Sequence, residues 1–275
     1  MKRIINIKPD HTTRFLLGAL PFVVLLLVYL FASDARLALN PDDKLMPAFS
    51  DFGAAIQRMV FEPSARTGEY LFWGDTWASL QRLFLGVGVS ALVGLLVGLF
   101  NGAVPLARAH LAPIVTVWSL IPPMAILPIL FIIFGLGELS KVMLIALGIT
   151  PFIIRDLQNK ALELPAEQLI KAQTLGASSW QVIMRVVLPQ IMPRLIEAVR
   201  LSLGAAWLFL IAAEAIAAQD GLGYRIFLVR RYLDMDVILP YVAWITLLAF
   251  LTDWLLRRLS LAFYPWFHSN GGGRT

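Results

Sequence analysis

Long apolar runs with few charged residues recur along the whole chain, and this feature limits the possible folds more than any other. About 20 apolar residues are needed to cross the hydrocarbon core of a bilayer as a helix. The chain is 59% hydrophobic and 15% charged, whereas a soluble domain is about a quarter charged. The sequence therefore predicts an all-α membrane protein with six transmembrane helices, at residues 15–31, 77–100, 112–134, 140–157, 198–218 and 237–256.

The first apolar run follows four basic residues, so a secretory signal peptide is an alternative to a retained span. The run is longer than the apolar core of a usual signal peptide, and no small-residue cleavage motif stands out after it. We therefore expect it to be retained. With both termini in the cytoplasm, and with the long inner loop counted from Arg155 to Arg200, the inner segments carry 14 Lys and Arg residues and the outer segments carry 7. This difference follows the positive-inside rule and predicts that orientation.

The chain divides into three predicted parts. Residues 1–75 would hold the first transmembrane helix and an external segment, in which an amphipathic helix at 49–61 lies along the outer surface. Residues 76–262 would form a membrane core of five transmembrane helices with a cytoplasmic loop at 164–189. Residues 263–275 would be a cytoplasmic tail.

The cytoplasmic loop is unusually polar for this chain and has the pattern of two short helices. Gly176 suits a left-handed cap at the end of the first helix. Ser178 and Gln181 have the spacing of a capping box at the start of the second, and Pro189 is expected to end it. A helical knob of this kind could dock a soluble partner, or it could be a surface helix among the lipid headgroups. The residues alone leave both interpretations open.

The loop resembles the EAA loop of ABC importer permeases, which has the pattern E-A-A-x3-G-x9-I-x-L-P. The spacing matches throughout when Gly176 is aligned, but Ile170 and Lys171 replace the acidic residue and the first alanine. Glu167, one turn earlier, could stand in for the missing acid. In that family the loop is the coupling helix, which sits in a cleft of the ATP-binding subunit. The residues that the resemblance places at this contact are Glu167, Lys171, Ala172, Gly176, Ala177, Ser178, Leu188 and Pro189.

Three further stretches resemble the nitrate/sulfonate/taurine type of these permeases. They are the second span at 76–99, the proline-rich third span at 119–141 and the exit of the fifth span at 212–224. Together with the loop, the resemblance covers roughly residues 76–260. It implies the type I ABC importer permease (MetI-like) fold, with residues 76–262 as the permease core.

The third predicted span contains Pro122, Pro123 and Pro128. Prolines remove helix hydrogen bonds, and the freed carbonyls are tolerated at membrane depth where they face protein or a water-filled cavity. We therefore predict that this span lines the translocation pathway, with Met124 and Leu127 near the break. A plain packing kink is the alternative.

Glu214 lies late in the fifth predicted span, and an acidic residue within a span is usually functional. We include it among the predicted pathway residues. A structural role is at least as well supported, in which its carboxylate accepts hydrogen bonds from the backbone or an arginine near the outer gate.

Gly94, Gly98 and Gly102 repeat every four residues along the second predicted span, and Gly86 lies on the same face. Small residues at this spacing permit two helices to approach closely. We expect packing within the chain rather than a dimer seam.

Three arginines, Arg225, Arg230 and Arg231, fall on a segment placed outside the membrane. They could meet an acidic lobe of an external binding protein. Snorkelling of the side chains to the lipid headgroups explains them equally well.

The resemblance implies a transport function that needs other chains. The sequence has neither a Walker A motif nor a G-x-G-x-x-G motif, and no histidine has a second ligand at metal-binding spacing. We therefore expect no cofactor, no metal and no catalytic residue on this chain, with ATP and Mg²⁺ bound by two copies of a partner ATPase. The other expected partners are a second copy of this permease, an external solute-binding protein and membrane lipid, but no nucleic acid.

The expected location is the bacterial inner membrane, and the expected solute is a small polar one such as a sulfonate, nitrate or a small nitrogen compound. A heterodimer with a related permease is left open. Two other classes are a secondary transporter, which would need ionisable residues at mid-membrane, and a membrane-embedded enzyme, which would need clustered catalytic groups.

Overall fold

The structure is a computed structural model that describes residues 10–41, 43–64 and 68–269. Within these ranges all of the regular secondary structure is helical. The helices are α1 (His11–Leu39), α2 (Phe49–Phe61), α3 (Leu71–Ala103), α4 (Pro105–Leu120), α5 (Pro123–Phe134), α6 (Glu138–Leu162), α7 (Ala166–Thr174), α8 (Ser179–Val182), α9 (Leu188–Ala217), α10 (Leu222–Val229), α11 (Met235–Phe263) and α12 (Pro265–Ser269). A π-helical turn (Ile183–Val187) joins α8 to α9, and a 3-10 turn (Arg230–Tyr232) follows α10.

Four helical stretches in the described residues are long and apolar enough to cross a membrane: His11–Leu39, Leu71–Ala103, Ser179–Ala217 and Met235–Phe263. The pair α4 and α5 would make a fifth span, although the two helices are bent by 98° relative to each other. The predicted span 140–157 falls on α6, which is not among them. The all-α membrane architecture is thus confirmed, while the number of six spans is not.

The central helix of the bundle is α6, which packs against α3 and α9. Leu144, Ile149 and Ile153 are fully buried in this core. The predicted span on α6 also carries Lys141, Arg155 and Asp156. Lys141 and Asp156 would be costly in lipid, and nearby residues supply their partners: Glu138 pairs with Lys141, and Arg194 of α9 pairs with Asp156.

The glycine face of α3 is used for packing within the chain. A Cβ atom built on Gly94 would lie 2.5 Å from Ile153 Cγ2, and one built on Gly98 would lie 2.9 Å from Leu157 Cβ. The side chains that would collide all belong to α6. The glycines therefore let the two helices approach closely, as predicted, and they do not form an exposed dimer seam.

The first helix, α1, stands apart from the bundle and is attached near its end. The Tyr29 hydroxyl donates to the carbonyl of Pro47 at 2.8 Å, and the Ser33 hydroxyl donates to the carbonyl of Met46 at 3.0 Å. Ser33 is the single buried residue of this helix. The apolar surface of α1 is exposed on all sides, which suits contact with lipid.

The amphipathic helix α2 begins and ends where the sequence predicts, and it packs against α3 and α11. The segment before it is tied to the start of α11, where the Lys44 ammonium lies 2.6 Å from Asp234 Oδ1. The hydrogen bond from that ammonium to the Asp234 carboxylate raises the pKa of Lys44 above its usual value. The Met235 N–H donates to the Lys44 carbonyl at 3.2 Å, so backbone and side chain fix the same junction.

The prediction that Pro189 ends the second loop helix is wrong. Pro189 lies in the first turn of α9, and the helical path continues from α8 through the π-helical turn into α9. A proline ring collides with the carbonyl four residues earlier in a regular α-helix. The wider π-helical turn before Pro189 provides room for the ring. The hydrogen-bond pattern changes locally from α to π, and the helix continues.

The described part of the predicted tail, 263–275, is helical except at Tyr264. The chain leaves α11 at Phe263 and forms α12, where His268 Nε2 lies 2.9 Å from the buried hydroxyl of Ser260. The glycine-rich residues 271–273 lie outside the described residues.

Candidate functional site

The loop between α6 and α9 has the two capped helices that the sequence predicts. At the end of α7 the Gly176 N–H donates to the Gln173 carbonyl at 2.9 Å, and the Ala177 N–H donates to the Ala172 carbonyl at 3.1 Å. This is a Schellman motif, and Gly176 has the left-handed φ of 83° that it requires. The glycine therefore sets the direction in which the second helix leaves.

The second helix begins with a complete capping box. The Gln181 N–H donates to the Ser178 hydroxyl at 3.3 Å, and the Ser178 N–H donates to Gln181 Oε1 at 2.8 Å. These two bonds satisfy backbone donors that a helix leaves open at its start. The turn between α7 and α8 is thus fixed by hydrogen bonds on both sides.

One side of this loop is anchored on the ends of two core helices. Val187 and Ile183 are buried against Leu99 of α3 and Ala161 of α6. The loop residues that pack more loosely against the same cluster are Leu164, Leu169, Ala172, Ala177, Val186 and Leu188. The loop is therefore a fixed part of the bundle.

The other side of the loop is exposed and carries large apolar side chains. Leu175 is 81% exposed, Trp180 58% and Ile170 57%. Five of the predicted contact residues are also exposed: Glu167, Lys171, Gly176, Ser178 and Pro189. Apolar side chains on a fixed, polar-edged surface are typical of a docking site.

The proline-rich segment is a broken helix, as predicted. Helix α4 ends at Leu120, and α5 starts at Pro123 after a bend of 98°. Because Pro122 precedes α5 and Pro123 is its first residue, neither removes a hydrogen bond from a helix interior. Pro128 lies inside α5 without interrupting it.

The predicted pathway residues do not all share one environment. Pro122, Met124 and Pro128 are exposed, whereas Leu127 is 2% exposed and packs in the main core. The exposed residues can line a cavity next to the break. Leu127 instead holds α5 on the bundle.

Glu214 belongs to a cluster of charged residues at one end of α3, α6 and α9. The charge cluster consists of seven charged residues and the hydrogen-bonded Ser79: Asp75, Ser79, Arg82, Glu138, Lys141, Glu214, Asp220 and Arg225. Arg82 lies at its centre and is 2% exposed. Its guanidinium contacts the carboxylates of Glu138 and Asp220 and lies 2.7 Å from Glu214 Oε1.

The Glu214 carboxylate is fully buried, and both of its oxygens accept hydrogen bonds from residues of this chain. Besides Arg82, it accepts a hydrogen bond from the Ser79 hydroxyl at 2.8 Å and one from the Gly223 N–H at 2.9 Å. The turn around it needs glycine, since Gly221 has a φ of 111° and an added Cβ would lie 2.5 Å from Glu214 Oε1. This geometry supports the structural role of Glu214 over solute contact.

Sequence reasoning missed Arg82 and Lys141, the two basic members of the cluster in predicted spans. The signal was present, because a charged residue inside a span is expected to have a partner. Arg82 and Glu214 are 132 residues apart in the sequence. An arginine is among the partners that the sequence allows for Glu214, and Arg82, a basic residue inside another predicted span, was the candidate for it.

The three arginines predicted to meet a binding protein have different surroundings. Arg225 is partly buried, and its Nε lies 2.7 Å from Oδ2 of the buried Asp75. Arg230 and Arg231 are exposed, and the Arg230 guanidinium lies 5.0 Å from the centre of the Phe227 ring. Arg225 thus stabilises the charge cluster, and the other two remain accessible to a partner.

The sequence matches the family model described as "Binding-protein-dependent transport system inner membrane component" over residues 90–263. The chain is 37% identical over 194 residues to the taurine transport system permease protein TauC of Escherichia coli (strain K12), covering 70% of each chain. It is 29% identical over 214 residues to the putative aliphatic sulfonates transport permease protein SsuC of Bacillus subtilis (strain 168). That match covers 78% of this chain and 77% of the relative.

Among solved structures, the chain is similar to one in an inward-facing conformation of the MetNI methionine ABC transporter. The TM-score is 0.62 at 24% sequence identity, and the match covers 70% of this chain and 96% of the other. At this identity the likeness shows a shared fold.

Proposed function

The chain belongs to the binding-protein-dependent transport system inner membrane components, the permeases of ABC importers, and from that premise we propose that two copies form the pathway of an ATP-driven importer. Residues 76–262 are the permease core, and the chain lies in the inner membrane with both termini in the cytoplasm. ATP and Mg²⁺ are bound by two copies of a partner ATPase, and an external binding protein delivers the solute.

The exposed face of the α7–α8 loop is the observation that carries this proposal. The loop presents Ile170, Leu175 and Trp180 on a support fixed by the Gly176 cap and the Ser178 capping box. An apolar face of this kind fits a cleft in a soluble subunit. In the departure from the family pattern, Ile170 replaces the acidic residue with an apolar one, and Lys171 replaces the first alanine with a basic residue.

The path of the chain explains how a movement of the ATPase would reach the membrane. The loop packs on Leu99 of α3 and Ala161 of α6, and it runs through the π-helical turn directly into α9. A force on the loop therefore acts on three core helices. When ATP closes the ATPase dimer, the two loops move together and the cavity between the permeases turns outward.

The pathway itself lies next to the break between α4 and α5. Pro122, Met124 and Pro128 are exposed there, and Pro122 and Pro123 have no N–H to donate to the carbonyls of the last turn of α4. Such groups can replace part of the hydration of a passing polar solute. Exposed Arg230 and Arg231 are available for the external binding protein.

A sulfonate is the solute class we propose, since the relatives named above are described as permeases for taurine and for aliphatic sulfonates. Nitrate and small nitrogen compounds are the other candidates. The binding protein largely sets selectivity, so the decisive measurement is ligand binding by that protein. The alternative of a secondary transporter loses support, because Glu214 is sealed from solvent by Arg82 and Ser79.

The docking hypothesis is tested by Leu175→Asp and Gly176→Asp in full-length permease co-expressed with its ATPase. Leu175 is 81% exposed, so its replacement should leave the fold intact and still abolish co-purification of the ATPase. Gly176→Asp adds a charge and strains the left-handed cap. Gly176→Asn tolerates that conformation better and should retain more coupling.

Gly53→Asp is the matched control, because Gly53 lies on α2 in open space. It should affect neither ATPase binding nor solute-stimulated ATP hydrolysis. Normal ATPase binding and normal uptake with both Leu175→Asp and Gly176→Asp would show that the loop is not the coupling element.

A further inference from the structure

One strip of α6 is exposed although the rest of the helix is buried. From Ser140 to Pro151 every residue of α6 is buried or partly buried, but Phe152 is 53% exposed, and Arg155 and Asn159 are exposed as well. Residues three and four positions apart lie on the same face of a helix. The three side chains therefore form one continuous strip at the end of α6 farthest from the charge cluster.

Arg155 has a neutral partner in this strip. Its Nη1 donates to the Ser119 hydroxyl oxygen at 3.2 Å, and that hydroxyl in turn donates to the Thr116 carbonyl at 2.8 Å. The adjacent carboxylate, Asp156, accepts two hydrogen bonds from the Arg194 guanidinium, at 2.6 and 2.7 Å. Within the described residues Arg155 forms no ion pair, so its positive charge is not neutralised by the chain.

The position of Ser119 brings this charge to the helix break. Ser119 is the penultimate residue of α4, and the chain bends by 98° between Leu120 and Pro123. Arg155 is therefore hydrogen-bonded to the last turn of α4, three residues before the exposed Pro122. A guanidinium has five N–H donors in a planar fork that fits the oxygens of a sulfonate or carboxylate.

We propose that Arg155, positioned by Ser119, is an anion-attracting station on the pathway and that it binds the oxyanion group of the solute as it passes the α4–α5 break. This inference rests on the proposed function, because it takes the break as part of the pathway. A single cation with a neutral partner raises the local concentration of anions without trapping them in a strong ion pair. It would favour sulfonates over cationic solutes.

The absence of cysteine from the sequence permits a direct test in membrane vesicles that contain the full chain. In Phe152→Cys the thiol lies one turn from Arg155. The rates of its reaction with anionic sulfonatoethyl methanethiosulfonate and with cationic trimethylammonioethyl methanethiosulfonate are measured. Adding Arg155→Gln should lower the anionic-to-cationic rate ratio roughly three- to tenfold, for one unit charge at a distance of about 6 Å.

Two further variants separate charge from shape and position. Adding Arg155→Lys to Phe152→Cys should preserve most of the ratio. Adding Arg108→Gln should leave the ratio unchanged, because Arg108 lies 11 residues before Ser119 on α4, about 16 Å along the helix and beyond the screening length.

The experiment requires no transport, so its outcome is independent of whether the ATPase or the solute has been correctly identified. An unreactive thiol at position 152 would mean that lipid or a second chain covers the strip, and this overturns the proposal. A reactive thiol whose rate ratio is the same with Arg155→Gln would also overturn it, since Arg155 would then exert no field on the pathway.

Discussion

Replacing Glu214 with glutamine should lower the free energy of unfolding by about 3 kcal/mol. The change keeps the shape of the side chain but removes a charge that lies 2.7 Å from Arg82 Nη1. It also places an amide NH₂ against a donor, because Glu214 accepts from the Ser79 hydroxyl and from the Gly223 N–H. At least one buried donor then has no acceptor.

The magnitude follows from what Arg82 retains. Removing one partner of a buried ion pair costs about 3–5 kcal/mol when the other charge is left alone. Here Glu138 and Asp220 still contact the guanidinium, but their side chains are 64% and 58% exposed, so they compensate only in part. A loss of 3 kcal/mol corresponds to a change of roughly 100-fold in the unfolding equilibrium constant.

The measurement is an unfolding titration of purified permease with a denaturing detergent, together with the yield of intact complex and the uptake of solute. Asp220→Asn is the control, because its exposed side chain should contribute less than about 1 kcal/mol. If Glu214→Gln left stability and yield unchanged and reduced uptake alone, Glu214 would be a pathway residue and the structural account given above would be refuted.

Three other outcomes are expected. Met124→Trp should block uptake while the yield of complex and basal ATP hydrolysis remain normal; reduced yield with unblocked uptake would instead show that the α4–α5 break is a packing kink. Gly98→Val should lower stability by about 1–3 kcal/mol through overpacking against α6, whereas Gly88→Ala, in open space, should have little effect, and equal losses would contradict close packing of α3 on α6. In intact cells, Arg58→Cys should react with an impermeant thiol reagent and Lys171→Cys should not; the reverse pattern would invert the proposed orientation.

Several features of this fold depend on local chemistry, and the sequence predicts them well. Gly176 is at a left-handed position because a helix must be capped there, and Ser178 and Gln181 form a capping box because their spacing allows it. The break at Pro122 and Pro123 follows from the missing N–H groups and the steric limits on the residue before proline. In each case the cause lies within a few residues of the effect.

Other features depend on which distant segments meet. Arg82 and Glu214 gain their structural role from a contact between α3 and α9, and hydropathy gives no information on which helices are neighbours. Leu127 is as apolar as the residues around it, yet it packs in the core while Met124 is exposed. Hydropathy alone also did not show that α6 is buried in protein from Ser140 to Pro151.

The sequence by itself determined that this chain is a helical membrane protein with a capped loop and a proline break. Hydropathy acts within one span of about 20 residues, and capping and missing N–H groups act over one or two helical turns. Tertiary structure alone decided that Arg225 turns inward to Asp75, and that Arg155 has no acidic partner within residues 10–41, 43–64 and 68–269. An ion pair requires the charged nitrogen and oxygen atoms of two side chains to lie within about 4 Å of each other. That placement is set by the packing of whole helices and not by the residues that form the pair.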